Sequence, residues 1–415
     1  MSNAQPVRGT HDLLFDDMLR HRHVEECAFD VAKRYGYGEI ATPIFEFTEV
    51  FTRTLGVTSD VVTKEMYTFE TKGGESITLR PEGTAGVARA FISGGLAQQT
   101  PLKFFYRGPM FRHERPQKGR QRQFHQIGIE LLGVAGPQAD VESIAIGHHI
   151  LTELDLNGAI TLEINSLGDP ESRAAYRDVL VNFLSARKEK LSAESLDRLE
   201  RNPMRILDSK DPGDREAIAE APRLSEYLNE TSRGFFDKVK AGLDAHGIAY
   251  KVSPALVRGL DYYCHTAFEF TTDALGAQGT VMAGGRYDGL IGQMGGPATP
   301  GIGWAAGIER LSMLLKAAPE APRPIALIPV SEAEEPNVFA LAAKLRKAGF
   351  IVDVGYSGNM KKRMNRADKI KAVAAIIIGG DEARDSTATL RDFVSGAQKT
   401  ISQNELEAAL AAYKP

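Results

Sequence analysis

Between residues 107 and 122 the chain carries five arginines (Arg107, Arg112, Arg115, Arg120 and Arg122) and Lys118, opposed by Glu114 alone. Arginine's planar fork matches phosphate oxygens with a geometry that solubility alone does not require. Phe124 follows two residues after the last arginine, with His125 and Gln126 next as polar hydrogen-bonders. Phosphate clamp, flat apolar ring and polar readers in one run imply a nucleotide triphosphate. The alternative is a solvated basic hairpin.

Other groups could join that chemistry. Glu82, in the run LRPEGT, sits at a loop-to-helix junction, where a carboxylate can accept from an ammonium ligand or simply favour the helix N-terminus. Gln126 and Glu130 are four residues apart on one strand and so share a face, while Gln123 and His125 point the other way. LVRGLDYYCHTAFEF sets Arg258 and Asp261 beside Tyr262 and Tyr263, either a small-molecule pocket or a structural loop buried by its tyrosines. Arg310 falls near a helix start, against the dipole's preference, which implies a nearby anion. The glycines of GIGWAAGIERL are spaced GxGxxxG without a βαβ context, so a dinucleotide fingerprint fails, and no P-loop, HExxH or GxSxG occurs. The pairs His21/His23 and His148/His149 read as surface or satisfied core residues, and no metal cage of protein side chains is expected.

The elements that must position these groups can be read from periodicity. Residues 14–35 form a helix, EIATPIFEF a strand made awkward by Pro43, and MYTFE and ITLR a hairpin turning at Gly73-Gly74. A helix starts at Pro81, the arginine run is strand–loop–strand, and another helix spans about 138–154. Residues 169–246 read as helices only, an insertion between two halves of a sheet domain. IAYKVSP and AFEFTT resume the strands, with glycine-rich turns at 276–279 and 283–285, and 301–315 run from strand directly into helix. After the linker KAAPEAPRP, strands IALIPV, FIVDVGY and AAIIIGG alternate with helices at 336–347 and 359–371, a separate parallel-sheet domain. The fold class is α+β: an antiparallel sheet flanked by helices, plus a C-terminal α/β domain.

At 415 residues there is chain for two or three domains. A net charge of −4 excludes wholesale coating of nucleic acid but leaves local basic grooves. Cys27 and Cys264, the only cysteines, exclude a disulfide scaffold and point to a reducing cytoplasm. With no signal core and no long apolar run, no membrane partner is expected.

Taken together, the chain resembles the histidyl-tRNA synthetase family of class II aminoacyl-tRNA synthetases over essentially its whole length. Residues 14–48 resemble motif 1, residues 104–133 with FRHERPQKGRQRQFHQ resemble motif 2, and residues 301–315 with GIGWAAGIERL resemble motif 3. LVRGLDYY and AGGRYDGL are similar to the histidine-specific signatures. The resemblance implies a catalytic domain over 1–322 with a helical insertion at 169–246, and an anticodon-binding domain over 323–415. It implies ATP with Mg²⁺ carried alongside, L-histidine and tRNA(His) as substrates, and a homodimer built through motif 1. Catalysis falls to Arg112 on the α-phosphate and to Arg258 opposite it. ATP is implied to contact Arg112, Glu114, Arg120, Phe124 and Arg310. Histidine is implied to contact Glu82, Gly83, Thr84, Gln126, Glu130, Arg258, Tyr262 and Tyr263, an acceptor and a hydroxyl suiting the two imidazole nitrogens. Arg115, Gln117, Gln121 and Arg122 at the hairpin tip, and Lys361, Lys362 and Arg366 in NMKKRMNRADKIK, are implied to meet tRNA; Arg363, Lys369 and Lys371 add to that helix's positive charge. Gln121 departs from the family pattern, which has an aromatic there.

Two other functions compete: a non-charging paralogue such as the regulatory subunit of ATP phosphoribosyltransferase, and a histidine- or RNA-sensing module. The first typically lacks the anticodon domain and degrades the histidine signatures; the second does not require Arg112, Arg258 and Arg310 together.

Overall fold

The structure, a computed structural model, describes residues 4–56, 59–209, 211–257 and 262–414, without the side chains of residues 208, 277 and 278. It divides into two compact units, Met1–Pro319 and Glu320–Pro415.

The first unit opens with α1 (Phe15–Arg34), whose Val24, Ala28, Val31 and Ala32 form a buried stripe at helical spacing. Asp16 and Asp17 begin it and Lys33 and Arg34 end it, the charge order that a helix dipole favours. β1 (Gly38–Glu39), β2 (Phe45–Phe47), α2 (Thr48–Leu55), β3 (Tyr67–Glu70), β4 (Ser76–Leu79) and α3 (Thr84–Ser93) follow. β5 (Leu102–Phe111) and β6 (Gln123–Leu132) pair antiparallel along their full length, from Leu102 opposite Leu132 to Phe111 opposite Gln123. Next come α4 (Gln138–Glu153) and β7 (Thr161–Ser166). Four inserted helices, α5 (Pro170–Ser185), α6 (Ala193–Arg201), α7 (Pro212–Ile218) and α8 (Glu230–Ala245), precede β8 (Lys251–Val252). β9 (Cys264–Thr271), β10 (Thr280–Arg286), α9 (Leu290–Gln293), β11 (Gly301–Gly307) and α10 (Ile308–Leu314) complete the unit.

Eight strands make one sheet in the order β1-β5-β6-β11-β10-β9-β7-β8, and β2-β4-β3 make a small second one. Among the described residues, only β1 with β5 and β7 with β8 run parallel in the large sheet. Its core packs α1, α4 and α8 against the strands through Ile144, Leu151, Val239, Ile129 and Trp304. The Trp304 indole donates to the Ser143 carbonyl at 2.9 Å. A wholly buried ion pair, Arg286 on β10 with Asp140 on α4, fastens the same layers, and the Val134 and Gly136 carbonyls take further guanidinium N–H groups. In the insertion, the buried Asp214 carboxylate accepts from the Ser192 backbone N–H and the Ser192, Ser195 and Ser209 hydroxyls. These bonds hold three inserted segments together around one charge.

The second unit holds β12 (Ile325–Pro329), α11 (Glu335–Lys347), β13 (Val352–Val354), α12 (Met360–Lys369), β14 (Ala374–Ile378), α13 (Gly380–Arg384), β15 (Thr387–Asp392), β16 (Gln398–Ser402) and α14 (Leu406–Ala409). Its sheet order is β13-β12-β14-β15-β16, parallel through β14 and antiparallel beyond. Ile325, Leu327, Ile376 and Ile378 are buried within it.

Three expectations need correction. EIATPIFEF is not one strand: β1 and β2 belong to different sheets, and Pro43 lies in the irregular stretch between them. There the Arg80 guanidinium takes the Thr42 carbonyl at 2.9 Å and the Arg80 N–H takes that of Ile44 at 2.8 Å, so these carbonyls are satisfied without a continuous strand. The helix expected at Pro81 starts at Thr84, because the Glu82 side chain accepts the N–H groups of Thr84 and Ala85. Residues 283–285 are not a turn but the middle of β10, where Gly284 lies opposite Trp304 and Phe268. A Cβ on Gly284 would run into the Gly303 carbonyl and the Trp304 side chain, so close strand approach explains the glycine. β7 carried no strand expectation, and IAYKVSP yields only the two residues of β8.

Candidate active site

A cavity of about 310 Å³ gathers Glu82, Thr84, Arg112, Glu114, Arg120, Gln121, Phe124, Gln126, Tyr262, Tyr263 and Arg310. They arrive from the start of α3, the β5–β6 hairpin, the approach to β9, and α10.

One end of the cavity is cationic. Arg112 stands over the Phe124 ring at 5.6 Å and donates to the Pro81 carbonyl at 2.9 Å. Glu114 pairs with Arg120 at 2.6 Å and reaches Arg112 at 3.8 Å. Arg310 donates to the Gly119 carbonyl at 3.0 Å and to the Thr280 carbonyl at 2.6 Å, bridging the hairpin tip to β10. Burial, then the neighbouring Arg120 and Arg112 charges, lower the Arg310 pKa against the pull of Glu114. Arg112, Arg120 and Arg310 thus gather at one end of a cavity whose lining also includes Glu269 and Glu309, and their planar forks suit phosphate oxygens.

The other end is polar and buried. Glu82 uses both carboxylate oxygens on the first N–H groups of α3, at 2.6 and 2.8 Å, and burial raises its pKa. The helix-capping alternative for Glu82 is therefore realised in a residue that also lines the cavity. Behind it Glu130 is fully buried, accepting from the Thr84 hydroxyl at 2.7 Å and from the Tyr287 hydroxyl. Burial pushes the Glu130 carboxyl up to about 8, against the hydrogen bonds from Tyr287 and Thr84. Gln126 and Glu130 share a strand face, and the buried Gln126 Oε1 has no hydrogen-bond partner among the described residues. Tyr262 and Tyr263 pack ring to ring at 4.5 Å. Gly83 and Gly128 both press on Tyr106, and a Cβ on either would come within 2.3 Å of its ring atoms.

Several expected residues lie elsewhere. Arg258 and Asp261 fall outside the described residues. Arg115 and Gln117 are exposed at the hairpin tip, with Gln117 bridging Arg120 through backbone bonds of 3.0 and 2.9 Å. Arg122 donates to the Glu114 carbonyl at 3.2 Å and the Arg8 carbonyl at 3.4 Å. Arg107 leaves the cation cluster altogether, since Glu39 pairs with it at 2.7 Å. In the second unit Lys361 and Lys362 are exposed, and Arg366 is exposed while paired with Asp353 at 2.9 Å. Arg363 does not add to the positive surface of α12: it is buried, bound to the Pro329 carbonyl and to Glu335 at 2.6 Å.

Sequence reasoning missed Tyr287 and Glu309. Tyr287 stood in plain view inside AGGRYDGL, but its hydroxyl meets Glu130 only once β10 is laid beside β11 and β6. Glu309 accepts from the His125 backbone N–H at 2.9 Å and faces its Nδ1 at 2.8 Å. His21 is neither a surface nor a satisfied residue: it is buried, and both ring nitrogens lack a hydrogen-bond partner among the described residues. Burial and the adjacent His125 push its pKa down to about 4.

Comparison with known proteins gives the context. The histidyl-tRNA synthetase family matches residues 9–311 and the anticodon binding domain family residues 325–413. The chain is similar to the histidine–tRNA ligase of Rhodospirillum rubrum, at 63% identity over 414 residues and 100% of both chains. It is similar to that of Gluconacetobacter diazotrophicus at 54% identity over 411 residues, 99% of each. Its structure is similar to that of apo S. aureus histidyl-tRNA synthetase, with a TM-score of 0.83 and 35% identity, covering 99% of this chain and 100% of that one. With the family match spanning both histidine signatures and the whole cavity, the chain belongs to the histidyl-tRNA synthetase family.

Proposed function

We propose that the chain is a histidine–tRNA ligase working in two steps in one cavity. A carboxylate oxygen of L-histidine attacks the α-phosphorus of ATP, forming histidyl-adenylate as the bond to the bridging oxygen breaks and pyrophosphate leaves. A ribose hydroxyl at the 3′ end of tRNA(His) then attacks the activated carbonyl and releases AMP. Such displacements at phosphorus depend on positioning and charge stabilisation. The observation that carries this reading is the polarity of the cavity, with three arginines at one end and Glu82, Gln126 and buried Glu130 at the other.

In this reading Arg112 takes the α-phosphate and Arg258 faces it across the reacting centre. Arg120 and Arg310 take the outer phosphates, and adenine stacks on Phe124, beside which Arg112 already lies. Glu82, Thr84 and the unpartnered Gln126 Oε1 receive the histidine amino group next to Gly83. Glu130 and Tyr263, backed by Tyr262, address the imidazole. Mg²⁺ carried with the triphosphate would offset its charge, and Glu114, paired with Arg120 at 2.6 Å, contacts ATP from among the arginines. Buried polar groups left unpaired by the wrong amino acid supply discrimination. Exposed Arg115 and Gln117, with Gln121 and Arg122, form the hairpin end offered to tRNA; Lys361, Lys362 and Arg366 offer phosphate contacts from the second unit.

We also propose a homodimer in the cytoplasm. Phe15, Ile44, Phe45 and Phe47 are large exposed apolar side chains within residues 14–48, a surface that a second copy would cover. Among the described residues, no helix is long and apolar enough to cross a membrane. The regulatory-subunit reading is disfavoured by the anticodon-binding match and the full-length identity to histidine–tRNA ligases.

Histidine-dependent ATP–pyrophosphate exchange tests the enzyme reading; folded protein without exchange would overturn it. Arg258→Ala should slow exchange about 10²–10³-fold, as loss of one charge-stabilising donor does elsewhere. Normal turnover in that variant would remove Arg258 from the mechanism.

A further inference from the structure

His21, His125 and Glu309 form a cluster to which the adenylation steps give no role, with Glu309 at the edge of that cavity. His21 comes from α1, His125 from β6 and Glu309 from the first turn of α10. The two imidazole rings meet edge to face, with centroids 4.6 Å apart. His125 Nδ1 and Glu309 Oε1 lie 2.8 Å apart, close to the separation of two atoms that share one ion, so the Nδ1 lone pair and the carboxylate can be directed at the same point. The nearest carboxylate to His21 is Glu25, at 3.9 Å from Nδ1, beyond hydrogen-bond reach.

One potential ligand atom from each of the three residues lies within 4.8 Å of the other two. A cavity of about 450 Å³, which His21 and Glu309 help to line, gives an entry path. Burying two unpartnered imidazole nitrogens has a desolvation cost, and natural structures offset such costs with a partner.

We propose that His21, His125 and Glu309 bind one divalent first-row transition ion, with zinc the best match. Two imidazoles and a carboxylate are borderline donors suited to Zn²⁺. Bonds of about 2.0–2.2 Å around a tetrahedral ion bring ligand atoms to roughly 3.3 Å from one another, so the cluster closes by a small side-chain movement. The fourth position faces the cavity and takes a solvent ligand. Occupancy ties α1 to β6 and α10, beside Phe124, Gln126 and Arg310.

The test uses the full chain, stripped with a chelator and titrated with Zn²⁺ against a chromophoric competitor, then with Co²⁺ as a spectroscopic probe. The expected result is one equivalent per chain and visible absorption typical of tetrahedral cobalt. His21→Phe keeps a ring in the space but removes the donor, and should weaken binding on the order of 100-fold or more. His21→Gln provides a second variant should the first fold poorly, with circular dichroism confirming the fold of each. Absence of tight uptake in the unmodified chain, or equal uptake and cobalt spectra with and without His21, would overturn the site and leave His21 a packing residue.

Discussion

The Thr84 hydroxyl donates to Glu130 Oε1 at 2.7 Å, linking the first residue of α3 to the C-terminal half of β6. With Tyr287 on the other oxygen, Glu130 has a fixed orientation before any ligand arrives. A carboxyl so placed selects for a partner that can donate to it.

Glu130→Gln should therefore raise KM for histidine and lower kcat/KM about 10–10²-fold, the usual scale for leaving a buried polar partner mispaired. The KM for ATP should change little. Exchange kinetics with each substrate varied in turn check this, and an equal loss for both would point to a distorted cavity.

The same carboxyl sets a pH dependence of stability. Its folded pKa, about 8, lies above the unfolded value of 4.5, so the folded chain holds this proton more tightly. Its contribution is complete below the unfolded pKa and is lost as pH rises through about 8. Urea unfolding between pH 5 and pH 8.5 should show stability falling with pH, with a shallower slope in Glu130→Gln. Matching slopes would mean that Glu130 titrates normally.

Arg310→Ala removes a cation and also frees the Gly119 carbonyl. A several-fold to tenfold rise in KM for ATP is expected, with histidine affinity much less affected; Arg310→Lys should recover only part, since it lacks the fork. Unchanged ATP kinetics would show that Arg310 serves only to hold the hairpin tip.

Gly128→Ala should destabilise the first unit by about 1–3 kcal/mol, the cost of overpacking, because the new methyl meets Tyr106. Tyr106→Phe combined with it should not rescue, since the clash involves the ring as well as the hydroxyl. Thermal unfolding of the single and double variants measures both.

Arg286→Met leaves Asp140 buried without its cation and should cost about 3–5 kcal/mol. The Arg286→Met, Asp140→Leu double variant should recover much of that, because the penalty comes chiefly from the orphaned charge. Equal destabilisation in single and double variants would assign the loss to packing around Trp304 instead.

Much of the site was legible in one dimension because its chemistry comes in runs. The arginines of residues 107–122, Phe124 and Gln126 share one hairpin, and strand period alone put Gln126 and Glu130 on the same face. The change from antiparallel to alternating strands and helices marked the second domain, since parallel strands need helical crossovers. Glycine was less readable: in β10 it permits close strand approach, whereas composition alone suggested a turn. Arginine was ambiguous for a related reason. Arg112, Arg120 and Arg310 reach the cavity, but Arg107 and Arg363 are taken up by Glu39 and Glu335, partners 68 and 28 residues away in the chain.

What the sequence determined by itself, then, was local: element types, the hairpin and its cations, the domain change and the family signatures, all set by neighbouring residues and short periodicities. The tertiary structure decided which distant groups meet. Tyr287 reaches Glu130, and His21 reaches His125 and Glu309, only because the order β6-β11-β10 and the packing of α1 on α10 bring them together. Hydrogen bonds and metal ligation act over about 2–3 Å in space, so separation along the chain carries no signal of them.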